Sequence, residues 1–153
     1  MTTPSIVPTR YLGTDADYYQ APGKNNGSVQ PVQETVSVPD GTAFTTVVGL
    51  VPFRKGASFH APTFYCGDFG GGSTTASFGI VYDDNSTYTN DVDLFASAST
   101  APQSGGYVTL DEPEWLDFVT EADGWVAMTI NTANADATAN VICNLGIAYN
   151  LRT

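Results

Sequence analysis

The chain has a single histidine, His60, and an imidazole is the usual general base at neutral pH. A Ser–His–acid triad also needs an activated nucleophile, and the sequence has no G-x-S-x-G elbow to supply one. His60 lies among the aromatics Phe59, Phe64 and Tyr65, which points to a structural side chain on a strand. The glycine-rich run at residues 67–73 (GDFGGGS) lacks the lysine and the following helix that phosphate-binding loops require, so it reads as a mobile turn between strands. The run DDNST at residues 83–87, followed by Asp91 and Asp93, offers hard oxygen ligands suited to calcium. It misses the EF-hand pattern, because the sixth position is not glycine and Leu94 stands where the bidentate glutamate belongs. That run reads as a solvated loop.

Asp111, Glu112, Glu114 and Asp117 contain carboxylates enough for a glycosidase pair, but no spacing singles two of them out. Cys66 and Cys143 read first as small buried hydrophobes and second as a disulfide between strands. Two cysteines and one histidine do not make a four-ligand zinc site. No cofactor, no metal and no catalysis are expected. Tryptophans can stack on sugar faces: Trp125 sits in an apolar strand and reads as core, whereas Trp115 sits in an acidic segment and is the more open.

The residues that could engage a partner are of another kind. Residues 1–31 carry Pro4, Pro8, Pro22 and Pro31 and a polar GKNNGS stretch, yet they also carry Ile6, Val7, Tyr11, Leu12, Tyr18 and Tyr19. This is an extended arm too apolar to float free, and it covers either its own domain or a neighbouring subunit. Arg10, Arg54 and Lys55 stand out as isolated cations on an acidic chain. With Tyr11, Tyr18 and Tyr19 they are the candidate partner-binding residues.

Behind them, turn signals recur at strand spacing. Residues 32–38 alternate, placing Val32, Val36 and Val38 on one face with Glu34, and end at the turn Pro39-Asp40-Gly41. Residues 44–53 form a β-branched run, and residues 58–65 a strand whose Pro62 forces an edge position or a bulge. Residues 74–82 make another strand. At residues 92–99 a helical turn competes with strand, and residues 111–123 have room for one helical turn. Residues 124–131 and 137–149 are the clearest strands, spaced for an antiparallel hairpin. The expected fold is therefore all-β: an antiparallel β-sandwich of jelly-roll type over residues 32–153, with an extended N-terminal arm over residues 1–31.

At 153 residues the chain can bury roughly 70% of its unfolded surface without staples. Its charged share of 14% is low against the usual ~25%. Sixteen acids against five bases give a formal charge of -11, which disfavours nucleic acid and anionic lipid and favours solubility at high copy number. Residues 1–8 do not form a secretory signal, and no stretch is long and apolar enough to span a membrane.

Residues 78–106 (FGIVYDDNSTYTNDVDLFASASTAPQSGG) and 123–149 (DGWVAMTINTANADATANVICNLGIAY) resemble the head decoration, or cement, proteins of tailed bacteriophages and related small virion structural proteins. The resemblance runs over about residues 44–150 and assigns no residue roles. It implies a β-rich domain on the outer surface of the capsid, bound to the major capsid protein, often as a trimer, and bracing capsomers. Deleting residues 1–30 is then expected to leave a folded domain that no longer attaches. The alternative is a phage fibre or carbohydrate-binding module of the same sandwich class.

Overall fold

Strict alternation makes Gln30–Val38 (β1) a half-buried strand: Val36 and Val38 turn inward, and Gln33, Thr35 and Ser37 turn outward. The other strands are Val47–Phe53 (β2), Ala57–Cys66 (β3), Thr75–Tyr82 (β4), Asp91–Ser99 (β5), Gly106–Tyr107 (β6), Gly124–Asn131 (β7) and Ala139–Tyr149 (β8). Among the described residues, two 3-10 turns, Ala101–Gln103 and Pro113–Asp117, are the helical content, each opened by a proline in its first turn. The structure is a computed structural model, and it describes residues 4–8, 29–83 and 87–149.

Two four-stranded sheets pack face to face, in the orders β1-β8-β3-β6 and β2-β7-β4-β5. The pairs β1·β8, β2·β7, β3·β6 and β4·β5 are all antiparallel. They are the rungs of one long hairpin rolled across two sheets, which is the jelly-roll arrangement. The lateral pairs β3·β8 and β4·β7 then close each sheet.

The sandwich is held by side chains from both inner faces. Phe53, Phe59, Phe95, Phe64 and Phe78 form a continuous column between the sheets, with successive ring centroids 5.6, 5.6, 5.4 and 4.8 Å apart. Each such ring pair contributes about 1 kcal/mol beyond its burial. Leu50, Ile80, Met128, Ile130, Val141 and Ile147 fill the space around the column.

Three details differ from the sequence reading. Residues 92–99 are wholly strand, because they pair with β4 and bury Leu94, Phe95 and Ala96 in the core. The strands at 124–131 and 137–149 do not pair as a hairpin: β7 and β8 lie in opposite sheets. The segment between them crosses the end of the sandwich, where buried Ala135 exchanges hydrogen bonds with Gly41 and Thr42, and the Asp136 amide donates to Phe69 O. The run at residues 67–73 is likewise no free turn. Phe69 is fully buried as a plug on the end of the core, and its amide donates to Pro102 O.

Prolines sit where the ladder permits them. Pro52 is on β2, at a sheet edge with a register shift between Gly49 and Val51. Pro62 falls in a bulge between His60 and Thr63, where Ala61 takes a positive φ of 47°. The bulge therefore accommodates Pro62 in a strand that lies between β8 and β6.

Candidate interaction surface

The two outward-facing sheet surfaces differ. On the β2-β7-β4-β5 sheet, Trp125, Val81 and Ala127 form a second apolar cluster, with Val7 and Val47 packed against it. The cover comes from residues 4–8. The Ser5 amide donates to Val47 O at 3.1 Å, the Gly49 amide donates to Ile6 O at 2.7 Å, and Ile6 bridges Val48 in parallel. Gly49 makes room for this: a Cβ there would stand 2.8 Å from the Trp125 ring and 2.9 Å from Pro4. At least this part of the N-terminal region lies on its own domain.

Over the other outer face, no segment among the described residues forms a comparable cover. Register places its outward side chains in rows: Pro31, Gly146 and His60; Gln33, Asn144 and Thr63; Thr35, Ile142, Tyr65 and Tyr107; Ser37 and Asn140. None is Asp, Glu, Lys or Arg, on a chain with sixteen acids. Pro31, Gln33, Thr35, Ser37, Thr63 and Asn144 are exposed. Tyr107 is 78% exposed and meets Tyr65 edge-to-face at 5.3 Å. A shallow apolar depression lies at one end of the face, bordered by Val29, Pro31, His60 and Gly146. A broad face with tyrosines, amides and hydroxyls and no charge has the composition of the buried centre of a protein interface.

The charge is elsewhere. Asp91, Asp93, Asp111, Glu112 and Glu114 gather beside β5. Asp91 is held above the usual carboxylate range by partial burial and then by Asp93 and Glu114. Glu112 is raised by desolvation and then by Glu114, Asp111 and Asp93. Among the described residues, no group of three or more His, Cys, Asp or Glu side chains is arranged to hold a metal. Residues 84–86 of the acidic run lie outside the described residues.

Of the partner-binding residues expected from sequence, Arg54 and Lys55 lie among the described residues. Arg10, Tyr11, Tyr18 and Tyr19 lie outside the described residues. Arg54 reaches Asp123 in a half-exposed ion pair at 3.0 Å, and the Lys55 amide donates to the same carboxylate at 2.9 Å. Both cations thus sit at the turn between β2 and β3, away from the uncharged face. Thr120 closes this corner, with its hydroxyl donating to Arg54 O and accepting from the Ala57 amide.

His60 Nε2 lies 3.2 Å from Ser58 Oγ on the exposed face. The Ser58 hydroxyl also reaches Ala148 O, and among the described residues no carboxylate bonds to the imidazole, so the pair lacks the third member that orients a triad. Trp125 is 8% exposed, and Trp115 is half-buried with its ring 6.2 Å from that of Phe95.

Cys66 and Cys143 are both buried and free. Cys66 pairs in register with Val141 and Cys143 with Phe64, so the two are diagonal neighbours on adjacent strands. Diagonal pairs stand about 7–8 Å apart, too far for a disulfide. Burial pushes the Cys66 thiol up to about 12 and raises Cys143 as well.

No protein-family model matches the chain, and no curated protein sequence matches it. Solved structures do share its fold. A chain of the cyanophage Pam1 capsid asymmetric unit superposes with a TM-score of 0.59 at 20% identity, over 82% of this chain and 87% of that one. A chain in the capsid of Ralstonia phage GP4 gives 0.58 at 20% identity, over 82% and 86%. At this identity the likeness is one of fold.

Proposed function

We propose that the protein is a structural protein of a phage virion and not an enzyme: a decoration protein that lies on the outside of the head shell and stabilises it. Support for the virion comes from the shared fold, which recurs in chains of two phage capsid structures over more than four-fifths of this chain. Support for the mode of binding comes from one observation, the uncharged outer face of β1-β8-β3-β6. An acidic protein packed at high copy number on a shell repels its neighbours everywhere except across such a face. Many shallow contacts of this kind, repeated by symmetry, give avidity without a deep pocket.

On this reading the partner is the major capsid protein. Thr63 lies within the face and is exposed, so Thr63→Glu leaves folding intact but buries an unpaired carboxylate on docking. The expected cost is about 2–5 kcal/mol, or roughly 30-fold or more in affinity. Co-sedimentation of the purified protein with empty heads of its own phage tests this. Binding by the parent chain and loss with Thr63→Glu support the reading; undiminished binding by the variant removes the face from it, and failure of the parent to bind removes the decoration role. The trimer implied by the resemblance is measured by light scattering on the full chain.

The fibre or carbohydrate-binding reading is the weaker, because Trp125 is covered by the N-terminal segment and Trp115 leans on Phe95. Glycan-array binding lost with Tyr107→Ala or Trp115→Ala would restore it.

A further inference from the structure

Histidine is the side chain whose ordinary range of titration lies between pH 5 and pH 8. The chain has one, His60, and register places it on the uncharged outer face of β1-β8-β3-β6. That face holds no Asp, Glu, Lys or Arg, and its other ionisable side chains are the phenols Tyr65 and Tyr107. In the physiological range, one proton on one ring therefore decides whether the face is neutral or carries a cation.

The ring also stands where a partner can dehydrate it. His60 is exposed and borders the shallow depression, together with Val29, Pro31, Ala61 and Leu145. Gly146 leaves that depression without a side chain at its pairing position with His60, and a Cβ there would stand 3.3 Å from the His60 Cβ. A partner's side chain seated in the depression lies against the ring and brings apolar surface in place of water. No group around His60 compensates a positive charge. From β3, Ser58 Oγ lies 3.2 Å from Nε2, and a hydroxyl can bond to the neutral or the charged ring. From β8 the neighbours are Asn144, Gly146 and Ala148, and from β1 they are Pro31 and Gln33, none of them ionisable. Glu34, the one acid of β1, turns inward. The segment that bridges Ser58 at Val119 carries Asp117 and Glu121, and among the described residues neither carboxylate bonds to the imidazole.

We propose that His60 makes docking through this face pH-dependent: the neutral imidazole docks and the imidazolium does not. This regulation rests on the docking role proposed for the face. Docking the charged ring would take a cation out of water with no carboxylate of the face to receive it, and an unpaired buried charge is strongly disfavoured. The bound state then favours the neutral ring, so docking expels a proton. Attachment is complete at pH 8 and is lost as the pH falls through the imidazole range. If the neutral form alone docks, affinity falls about tenfold for each pH unit on the acid side of that range.

The test measures co-sedimentation of the full chain with empty heads of its own phage from pH 8 to pH 5. Because the chain has a single histidine, nuclear magnetic resonance on the free chain gives the midpoint of that one imidazole directly. The parent's affinity is expected to bend at this midpoint and to fall about tenfold or more by pH 5. His60→Gln places an amide there that does not titrate. Whatever affinity this variant has at pH 8, its fall towards pH 5 is expected to be several-fold smaller than the parent's, and any titration of the heads is common to both. Should the variant not bind at all, the position of the parent's bend against the imidazole midpoint decides. Parallel profiles in the two chains, a bend away from the midpoint, or an affinity that rises towards pH 5 overturns the role of His60 and leaves the docking face standing. A parent that fails to bind at pH 8 overturns the docking face, and the role of His60 with it.

Discussion

Raising the pH should unfold this protein by ionising thiols that have no water around them. Cys66 is fully buried, and burial alone lifts it from 9.0 to about 12. The unfolded chain sheds the thiol proton above pH 9, whereas the folded chain keeps it until near pH 12. The folded state therefore binds more protons across that interval, so the contribution of Cys66 is complete below pH 9 and is lost as pH rises towards 12. At about 1.4 kcal/mol per pH unit, raising the pH from 8 to 11 removes about 3 kcal/mol through this one residue. Cys143 acts in the same direction, and buried Tyr82 and Tyr149 add to it above pH 10. The assay is urea denaturation at pH 8 and pH 11 for the parent chain and for Cys66→Ala. The variant loses a little packing at every pH, about 1–2 kcal/mol for so small a cavity. It is spared the ionisation, so the two stabilities should converge or cross by pH 11. Parallel curves, with the same loss between pH 8 and 11 in both chains, would refute the claim that this thiol is buried as described.

Phe69→Ala removes the plug at the end of the core and should cost about 3–5 kcal/mol, read as a fall in melting temperature of roughly 6–20 °C. A loss below 1 kcal/mol would mean that the loop at residues 67–73 moves as freely as its glycines suggest. Gly49→Val forces a side chain against Trp125 and Pro4, so residues 4–8 should detach from the sheet. Faster proteolysis near the N-terminus and a shifted tryptophan emission check that outcome. Tyr149→Phe strips the Arg54 amide of its acceptor at 3.1 Å and should cost about 1–2 kcal/mol in denaturant. Arg54→Ala, which breaks a half-exposed ion pair with Asp123, should cost no more than about 1 kcal/mol, with less effect in high salt.

For the N-terminal region, composition leaves open whether the arm covers its own domain or a neighbouring subunit. From sequence, residues 1–31 form an arm and the domain begins at residue 32. The strand β1 in fact starts at Gln30, and residues 4–8 cover Trp125 on the chain's own sheet. Deleting residues 1–30 would therefore expose an apolar cluster and take the first residue of β1. A stability measurement must accompany any loss of attachment in that variant.

The strands themselves were legible in the chain. Alternation at residues 30–38 and dense β-branched and aromatic runs elsewhere commit the segments to β structure, because a side-chain period of two buries one face of each. The lack of a recognisable catalytic constellation, the acidity and the core aromatics could also be read residue by residue. The partnership of strands could not. Residues 124–131 and 137–149 look like a hairpin because adjacent strands usually pair, yet the rolled topology sends them to opposite sheets. That choice rests on contacts distant in sequence, such as Ala135 with Thr42 and Asp136 with Phe69. The interaction surface is hidden for the same reason. Positions 31, 33, 35, 58, 60, 63, 65, 142, 144 and 146 look unremarkable in the sequence, and only register sets them side by side as one uncharged face. That the opposite face, around Trp125, is covered depends on where residues 4–8 lie, a matter of packing between distant segments that local periodicity does not encode.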